Sequence, residues 1–180
     1  MKDVDGPITL RGMTHAALFG ALTAVGAFIF LPIPPVPVTL QTLFLYLAAS
    51  TLGGTLGAWS QTVYLLLGVI GLPVFAGGKA GLGVLIGPTG GYLLGFMPAA
   101  WIAGRLIALK ARPGFAWVAF SLAAGTACLY GTGVVQLAVV GKLGLAKALT
   151  VGILPFLPGD VLKIAAATGI FLKVRDRLKQ

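Results

Sequence analysis

The sequence predicts an all-α integral membrane protein with six transmembrane helices and a Gly-rich loop, either re-entrant or ordered, between helices 3 and 4. The first observation is composition: 58% of the 180 residues are hydrophobic and 9% are charged, whereas soluble domains carry about 25% charged residues. The second is a mean hydropathy of +1.00. The third is length, because each bilayer crossing needs about 20 apolar residues. We therefore expect a single transmembrane domain over residues 1–180, without a soluble module.

The apolar segments follow one another with short interruptions at proline and glycine. The predicted spans are about 13–31, 40–52, 56–70, 88–109, 115–140 and 158–174, with a shorter interfacial helix at 144–154. The first span ends in a run with four prolines at 32–37. Proline lacks a backbone donor and disfavours helix just before it, so we expect an ordered loop there. The second span is short and stops at Gly53-Gly54.

A long connection at 71–87, GLPVFAGGKAGLGVLIG, is too apolar for a solvent loop and too Gly-rich for a helix. Irregular backbone at membrane depth persists only where it is buried in protein or lines a cavity. Glycine lets a backbone approach a ligand closely, so we interpret the cluster as a ligand cradle. The alternative is close helix packing. The cluster comprises eight glycines between 71 and 91, and we assign substrate binding to four of them, Gly77, Gly78, Gly90 and Gly91.

Basic residues indicate the topology. With six spans both termini lie on one side, and that side collects nine of the 13 Lys and Arg residues. The positive-inside rule then places both termini in the cytoplasm of a plasma-membrane protein. The Pro-rich loop, the Gly-rich loop and the start of the last helix share the outer side, which suggests a pocket open to the outside. The net charge of +9 is scattered over segment ends, which does not favour nucleic-acid binding.

Asp160 and Lys163 are the charged pair most suited to hold a ligand. Asp160 is the only acid between Asp5 and Asp176, and an intramembrane charge costs several kcal/mol. Three residues apart on a helix, Asp160 and Lys163 lie on one face. The alternative is an ion pair that only neutralises itself near the interface.

Further polar candidates lie near the same predicted pocket. Lys79 is either an attractor for an anionic substrate tail or a solvated loop lysine. Tyr92 offers a ring to stack and a hydroxyl to donate, or else belongs to an interfacial aromatic belt. Thr39, Gln41 and Gln136 are polar groups within apolar runs and need partners when buried. Each faces the pocket or makes an interhelical hydrogen bond.

Small residues recur along the first span at a spacing of four. Ala17 and Ala21 form one pair, and Gly20 and Ala24 form another. Small residues let helices approach closely in lipid. The pattern predicts either packing within the protein or docking against another membrane subunit.

The sequence contains no arrangement typical of an enzyme. There is no Walker motif, no cluster of metal ligands and no Ser/His/Asp set, and the single Cys128 excludes an internal disulfide. A membrane-embedded transferase would need a second intramembrane acid, a histidine or a metal ligand. A stand-alone secondary transporter is a further alternative, although we find no internal repeat.

Three sequence blocks carry a family resemblance. They are PVPVTLQTL at 35–43, GLPVFAGGKAGLGVLIGPTGGYLLGF at 71–96 and LPGDVLK at 157–163. In order and spacing they resemble the BioY family, the biotin-binding S components of energy-coupling factor (ECF) vitamin transporters. The resemblance implies six transmembrane helices with cytoplasmic termini and capture of biotin from outside. It also implies partners, a transmembrane T component and two cytoplasmic ATPases. No cofactor is implied for the chain itself, since ATP is used by the partners.

The resemblance also implies roles for residues. Asp160 and Lys163 match the substrate-binding P-G-D-x-x-K segment, and Ala17 and Ala21 match an A-x-x-x-A docking motif. The loop at 32–37 would be a gate, with prolines at Pro34, Pro35 and Pro37.

Biotin chemistry is compatible with these residues. Asp160 can accept from the ureido N–H groups and Lys163 can donate to the ureido carbonyl. Val74 and Phe75 suit the apolar thioether ring. The valerate carboxylate would pair with Lys79, or with Lys163 if Lys79 does not reach it. A related S component for a different vitamin is the remaining alternative, and a cationic or phosphorylated vitamin would have recruited a different set of charges.

Overall fold

The structure is a computed structural model that describes residues 9–177. Seven α-helices and one two-stranded hairpin follow in the order α1 (Leu10–Phe28), β1 (Phe30–Leu31), β2 (Val38–Thr39), α2 (Gln41–Val69), α3 (Leu82–Ile86), α4 (Gly90–Ala108), α5 (Phe115–Val140), α6 (Leu145–Ile153) and α7 (Leu157–Arg177). The all-helical class predicted from the sequence is confirmed.

The first helix begins and ends near the predicted positions. The Thr9 side chain accepts a hydrogen bond from the Gly12 backbone N–H at 3.1 Å, an N-cap that satisfies one of the unpaired donors of the first turn. After α1, the chain forms the antiparallel strands β1 and β2, with Phe30 paired to Thr39 and Leu31 to Val38. This short ladder closes the Pro-rich loop at 32–37.

Helix α2 is broken at Gly53, whose φ of 84° and ψ of −179° are not helical. A Cβ placed on Gly57 would lie 3.0 Å from the Cα of Ala49. Residues eight apart in a straight helix are roughly 12 Å apart along the axis, so the two halves fold back on each other at Gly53. The sequence predicted separate spans at 40–52 and 56–70. The structure differs in joining them by a sharp reversal at one glycine rather than by a loop.

The connection after α2 is only partly irregular. Residues 71–81 lie outside helices, but 82–86 form the short helix α3, so the prediction that the whole segment is too Gly-rich for helix is wrong there. Leu82, Val84, Leu85 and Ile86 make this stretch locally richer in helix-compatible side chains than the part before it.

Within the described residues, α4 and α5 are each long and apolar enough to cross a membrane, and α6 with α7 passes the same test as a pair bent by 47°. Large apolar side chains remain exposed along the helices, for example Leu66 of α2 at 54% and Val139 of α5 at 73%. Exposed apolar side chains are expected on the helix faces where lipid replaces water.

Candidate ligand-binding site

One cavity of about 760 Å³, counting its open mouth, lies among the loops and the helix ends. Its walls come from the Pro-rich loop, the turn at 75–79, and residues of α2, α4, α5 and α7. The residues that line it are Pro35, Val36, Pro37, Thr39, Gln41, Thr42, Phe75, Ala76, Lys79, Val84, Thr89, Tyr92, Leu93, Phe96, Leu129, Tyr130, Phe156, Asp160 and Lys163.

The closed end of the cavity is polar and centred on Asp160. Its Oδ1 accepts hydrogen bonds from Lys163 Nζ at 2.8 Å and from Thr42 Oγ1 at 3.2 Å. Its Oδ2 accepts from the Tyr130 hydroxyl at 2.5 Å. Lys163 Nζ also donates to Thr42 Oγ1 at 2.9 Å. Asp160 is 4% exposed and Lys163 is 8% exposed, so the ion pair is almost completely removed from solvent and rests on these neighbours.

The position of Asp160 in the first turn of α7 follows from helix electrostatics. The N-terminal end of a helix carries partial positive charge, which favours an acidic side chain in the first turn. Lys163 follows one turn later on the same face. The sequence spacing thus fixes the pair, and Thr42 and Tyr130 bring α2 and α5 to it.

The polar end retains limited hydrogen-bonding capacity. Among the described residues, Lys163 uses two of its three donors, and the Asp160 carboxylate uses three of about four acceptor positions. One donor of Lys163 and one acceptor position on the Asp160 carboxylate therefore remain unused. A small neutral group that carries an N–H next to a carbonyl, such as an amide or urea, complements this arrangement.

The rest of the wall is mainly apolar. Phe75, Leu93, Phe96, Leu129 and Phe156 are all buried cavity residues. The cavity opens to the surface where the exposed side chains of Pro35 and Lys79 lie. An elongated ligand therefore meets a polar closed end, an apolar middle and a cation at the mouth.

Gln41 lines the cavity and also holds a loop in place. Its Oε1 accepts from Thr39 Oγ1 at 2.9 Å, and its Nε2 donates to the Tyr64 hydroxyl. The Tyr64 hydroxyl in turn donates to the Val74 carbonyl at 3.2 Å. This chain of hydrogen bonds connects the start of α2 to the segment that precedes Phe75.

Gly77 and Gly78 form a turn and are not among the lining residues. Their φ values of +75° and +70° lie in the left-handed region that favours glycine. The Phe75 N–H donates to the Lys79 carbonyl at 3.0 Å and the Lys79 N–H donates to the Phe75 carbonyl at 3.2 Å. The turn thereby directs Phe75 and Lys79 to the cavity, while the glycines themselves stay outside it.

Gly90 and Gly91 lie at a helix contact, which corrects the interpretation of these two as part of the ligand cradle. A Cβ on Gly90 would collide with the Leu85 carbonyl, and one on Gly91 with the Thr132 carbonyl. Neither residue lines the cavity. Gln136 belongs to the same contact, since its Nε2 donates to the carbonyls of Leu85 at 2.7 Å and Gly87 at 2.8 Å. Of the two alternatives for Gln136, facing the pocket or forming a hydrogen bond within the protein, the structure supports the hydrogen bond.

Tyr92 lines the cavity with its ring, but its hydroxyl is already used. The hydroxyl donates to the Gly152 carbonyl of α6 at 2.8 Å. The ring centroid lies 6.1 Å from that of Phe156. Of the two contributions expected from Tyr92, the ring faces the cavity and the hydroxyl connects α4 to α6.

The predicted gate and docking residues are placed as follows. Pro35 and Pro37 line the cavity, whereas Pro34 is exposed and does not. On α1, Ala17 and Ala21 are exposed. Gly20 and Ala24 are buried, and a Cβ on Gly20 would lie 2.8 Å from the Ser60 carbonyl oxygen of α2. The Gly20/Ala24 pair therefore packs within the protein, and the Ala17/Ala21 pair faces outward.

Two polar contributors, Thr42 and Tyr130, were not identified from the sequence. Thr42 directly follows Gln41, and a threonine at a helix start is unremarkable by itself. Tyr130 is a single hydroxyl-bearing ring within the apolar α5. A search for every side chain able to form hydrogen bonds within a predicted span would have found both.

These features together define a membrane-embedded binding protein for a small, mostly apolar ligand with a polar head. The BioY family model matches residues 1–180. A biotin transporter from Thermotoga maritima is 42% identical over 92% of this chain and 96% of its own. A probable biotin transporter from Pyrococcus horikoshii is 43% identical over 87% of this chain and 91% of its own. A solved S-component for biotin from an ECF-type ABC transporter superposes with a TM-score of 0.86 at 28% identity, covering 93% of this chain and 92% of that one.

The chain therefore belongs to the BioY family. The family resemblance derived from the three sequence blocks is confirmed.

Proposed function

We propose that this chain captures biotin at the outer face of the plasma membrane for uptake, as the S component of an ECF transporter. The observation that carries the proposal is the unused donor and acceptor of the Asp160–Lys163 pair at the closed end of an apolar cavity. The ureido group of biotin presents N–H groups beside a carbonyl, so Asp160 accepts from an N–H and Lys163 donates to the carbonyl.

This orientation of the ureido group determines where the thioether ring and the valerate chain of biotin lie. The thioether ring lies against Phe75, Phe156 and the Tyr92 ring, where burial of apolar surface contributes most of the affinity. The valerate chain extends to the mouth, and its carboxylate pairs with Lys79. Since Lys79 is exposed, this ion pair contributes less than the buried contacts. Gln41 acts by holding the loop that carries Phe75.

The proposed topology has six crossings within one substrate-binding domain. They are α1, the two halves of α2, α4, α5 and the bent pair α6–α7. The first half of α2 has 12 residues and is roughly 18 Å long, so it crosses together with the β1–β2 hairpin above it. With six crossings and the distribution of basic residues, both termini lie in the cytoplasm.

Energy for transport comes from partners in this proposal, a transmembrane T component and two cytoplasmic ATPases. The exposed pair Ala17 and Ala21 on α1 supplies a flat face for docking, because small residues let a partner helix approach closely. The Pro-rich loop with Pro34, Pro35 and Pro37 covers the cavity mouth as its gate. We assign no catalytic step to the chain.

Equilibrium binding tests the proposal. Labelled biotin is titrated against the purified chain in detergent, with unlabelled biotin, thiamine and riboflavin as competitors. We expect saturable binding that only biotin displaces. Absence of binding to a chain with a cooperative melting transition would remove biotin as the ligand. Equal displacement by thiamine would indicate a different vitamin specificity.

A further inference from the structure

Tyr92 occupies a slot between two helices that is made by two glycines outside the cavity. A Cβ placed on Gly133 of α5 would overlap the Tyr92 ring, and a Cβ placed on Gly152 of α6 would overlap the Tyr92 hydroxyl oxygen. The ring therefore lies where the side chain of residue 133 would be, and the hydroxyl reaches the backbone of residue 152. Neither Gly133 nor Gly152 lines the cavity.

The slot encloses Tyr92 on the side of α5 and at the hydroxyl end. On one side the ring rests against α5, and at its tip the hydroxyl donates to the Gly152 carbonyl at 2.8 Å. Leu137 and Val134 crowd the same point, since a Cβ added to Gly152 would lie 3.1 Å and 3.2 Å from their side-chain atoms. The remaining side of Tyr92 faces the cavity. A group added to the slot therefore pushes Tyr92, which is a cavity-lining residue, away from Gly133 and Gly152.

We propose that Gly133 and Gly152 are positioning residues for the ligand pocket, which set its width by fixing how far the Tyr92 ring withdraws from it. This inference depends on the proposed function only because biotin is the ligand used to test it. The expected effect is steric: a methyl group at residue 152 moves Tyr92 and thereby affects ligand binding, without contacting the ligand itself.

The test is a double-mutant cycle between residues 152 and 92, read by biotin affinity. The Gly152→Ala variant places a methyl group against the Tyr92 hydroxyl, and we expect biotin affinity to fall about tenfold or more, as for an overpacked core. The Tyr92→Phe variant removes the atom that the methyl group meets and defines its own baseline affinity. On that background, we expect Gly152→Ala to lower affinity by less than about threefold, because the closest contact of the methyl group is removed and only the longer contacts with Leu137 and Val134 remain.

A matched control comes from α5 itself. Gly131 is exposed, and a Cβ on it would meet nothing within 4 Å. Gly131→Ala is therefore expected to leave affinity unchanged. Gly133→Ala, further along the same helix, is expected to weaken binding, and Tyr92→Phe is not expected to rescue it because that methyl group meets the ring.

The outcomes separate the two proposals. Wild-type affinity in a folded Gly152→Ala variant would contradict the proposed positioning role of Gly152. The same would follow if Gly152→Ala lowered affinity by the same factor in the Tyr92→Phe background as in the wild-type chain. If the wild-type chain binds no biotin, the proposed function fails, and the coupling between residues 152 and 92 is measured from melting temperatures instead. In that case, Gly152→Ala must lower the melting temperature less on the Tyr92→Phe background than in the wild-type chain. Strictly additive decreases in melting temperature would contradict the proposed contact between residue 152 and Tyr92.

Discussion

The Lys163 ammonium donates to Asp160 Oδ1 at 2.8 Å within one turn of α7, and both groups also bond Thr42 of α2. The ion pair is thus part of a cluster that joins two helices, with Tyr130 of α5 on the other carboxylate oxygen. Removal of one charge leaves the other buried without compensation, whereas removal of both does not. This asymmetry separates a structural contribution of the pair from its contribution to ligand binding.

The first prediction concerns Asp160→Asn. We expect biotin affinity to fall about 10- to 100-fold because a charged acceptor is lost. The free energy of unfolding should fall by about 3–5 kcal/mol because Lys163 remains charged and buried. Adding Lys163→Gln is expected to restore much of the stability but none of the affinity. Binding by calorimetry and unfolding by thermal melts check both; wild-type affinity in Asp160→Asn would remove the proposed ureido contact.

The second prediction concerns the hydroxyl of Thr42. Thr42→Val keeps the shape but removes a group that both donates to Asp160 and accepts from Lys163. We expect the free energy of unfolding to fall by about 1–3 kcal/mol and biotin affinity to weaken. Thr51→Val is the control in the same half of α2, since that exposed hydroxyl donates to the Leu47 carbonyl of its own helix. Equal effects of the two substitutions would show that the Asp160 cluster has no special dependence on Thr42.

The third prediction identifies the partner of the biotin carboxylate. Lys79→Ala is expected to weaken biotin binding about threefold, since exposed ion pairs are weak. Biotinamide, which lacks the carboxylate charge, should bind the variant and the wild-type chain equally. Lys147→Ala on α6 serves as the control for loss of one exposed positive charge. If Lys79→Ala weakens biotin and biotinamide alike, Lys163 is the better candidate for the carboxylate.

The fourth prediction separates docking from binding. Ala17→Trp adds bulk to the exposed face of α1, and we expect biotin binding to persist while uptake in cells is lost. Val135→Trp on α5 is the control, because Val135 is 61% exposed and lies on another helix. Its uptake should remain normal. Loss of binding together with uptake in Ala17→Trp would show that the substitution damages the fold rather than the docking face.

The fifth prediction concerns the break in α2. Gly53 has a φ of 84° and a ψ of −179°, a backbone conformation essentially restricted to glycine that costs other L-residues about 1–3 kcal/mol. Gly53→Ala should lower the free energy of unfolding by that amount. Gly114 has a φ of −81° and open space around its Cβ position, so Gly114→Ala should change stability little. Equal melting temperatures for the two variants would contradict the strained reversal at Gly53.

Sequence reasoning located the charged pair and the apolar segments for physical reasons that act locally. Asp160 and Lys163 stand out because charges are rare and costly among apolar residues. The Pro-rich loop and the Gly-rich connection, two of the segments that line the cavity, were found because proline and glycine interrupt helices. Hydropathy therefore predicts the helical class and the approximate spans.

The part that could not be predicted depends on contacts between distant segments. Gly90 and Gly77 both belong to the same Gly-rich stretch of sequence, yet Gly90 packs against α3 and α5, whereas Gly77 forms part of a turn. The Tyr92 hydroxyl reaches Gly152 across 60 residues of chain, and Tyr130 reaches Asp160 across 30. No local pattern specifies such pairs, because each depends on how whole helices are arranged.

The order in which the chain is made gives the Asp160 cluster a further consequence. Chains are synthesised from the N-terminus, so Thr42 and Tyr130 exist before the ribosome reaches Asp160. The last helix then supplies both charges to hydroxyl groups that were synthesised before it. A nascent chain that stops before α7 contains nearly all of the apolar wall but neither charge. In the proposed function, biotin binding therefore depends on the part of the chain that is synthesised last.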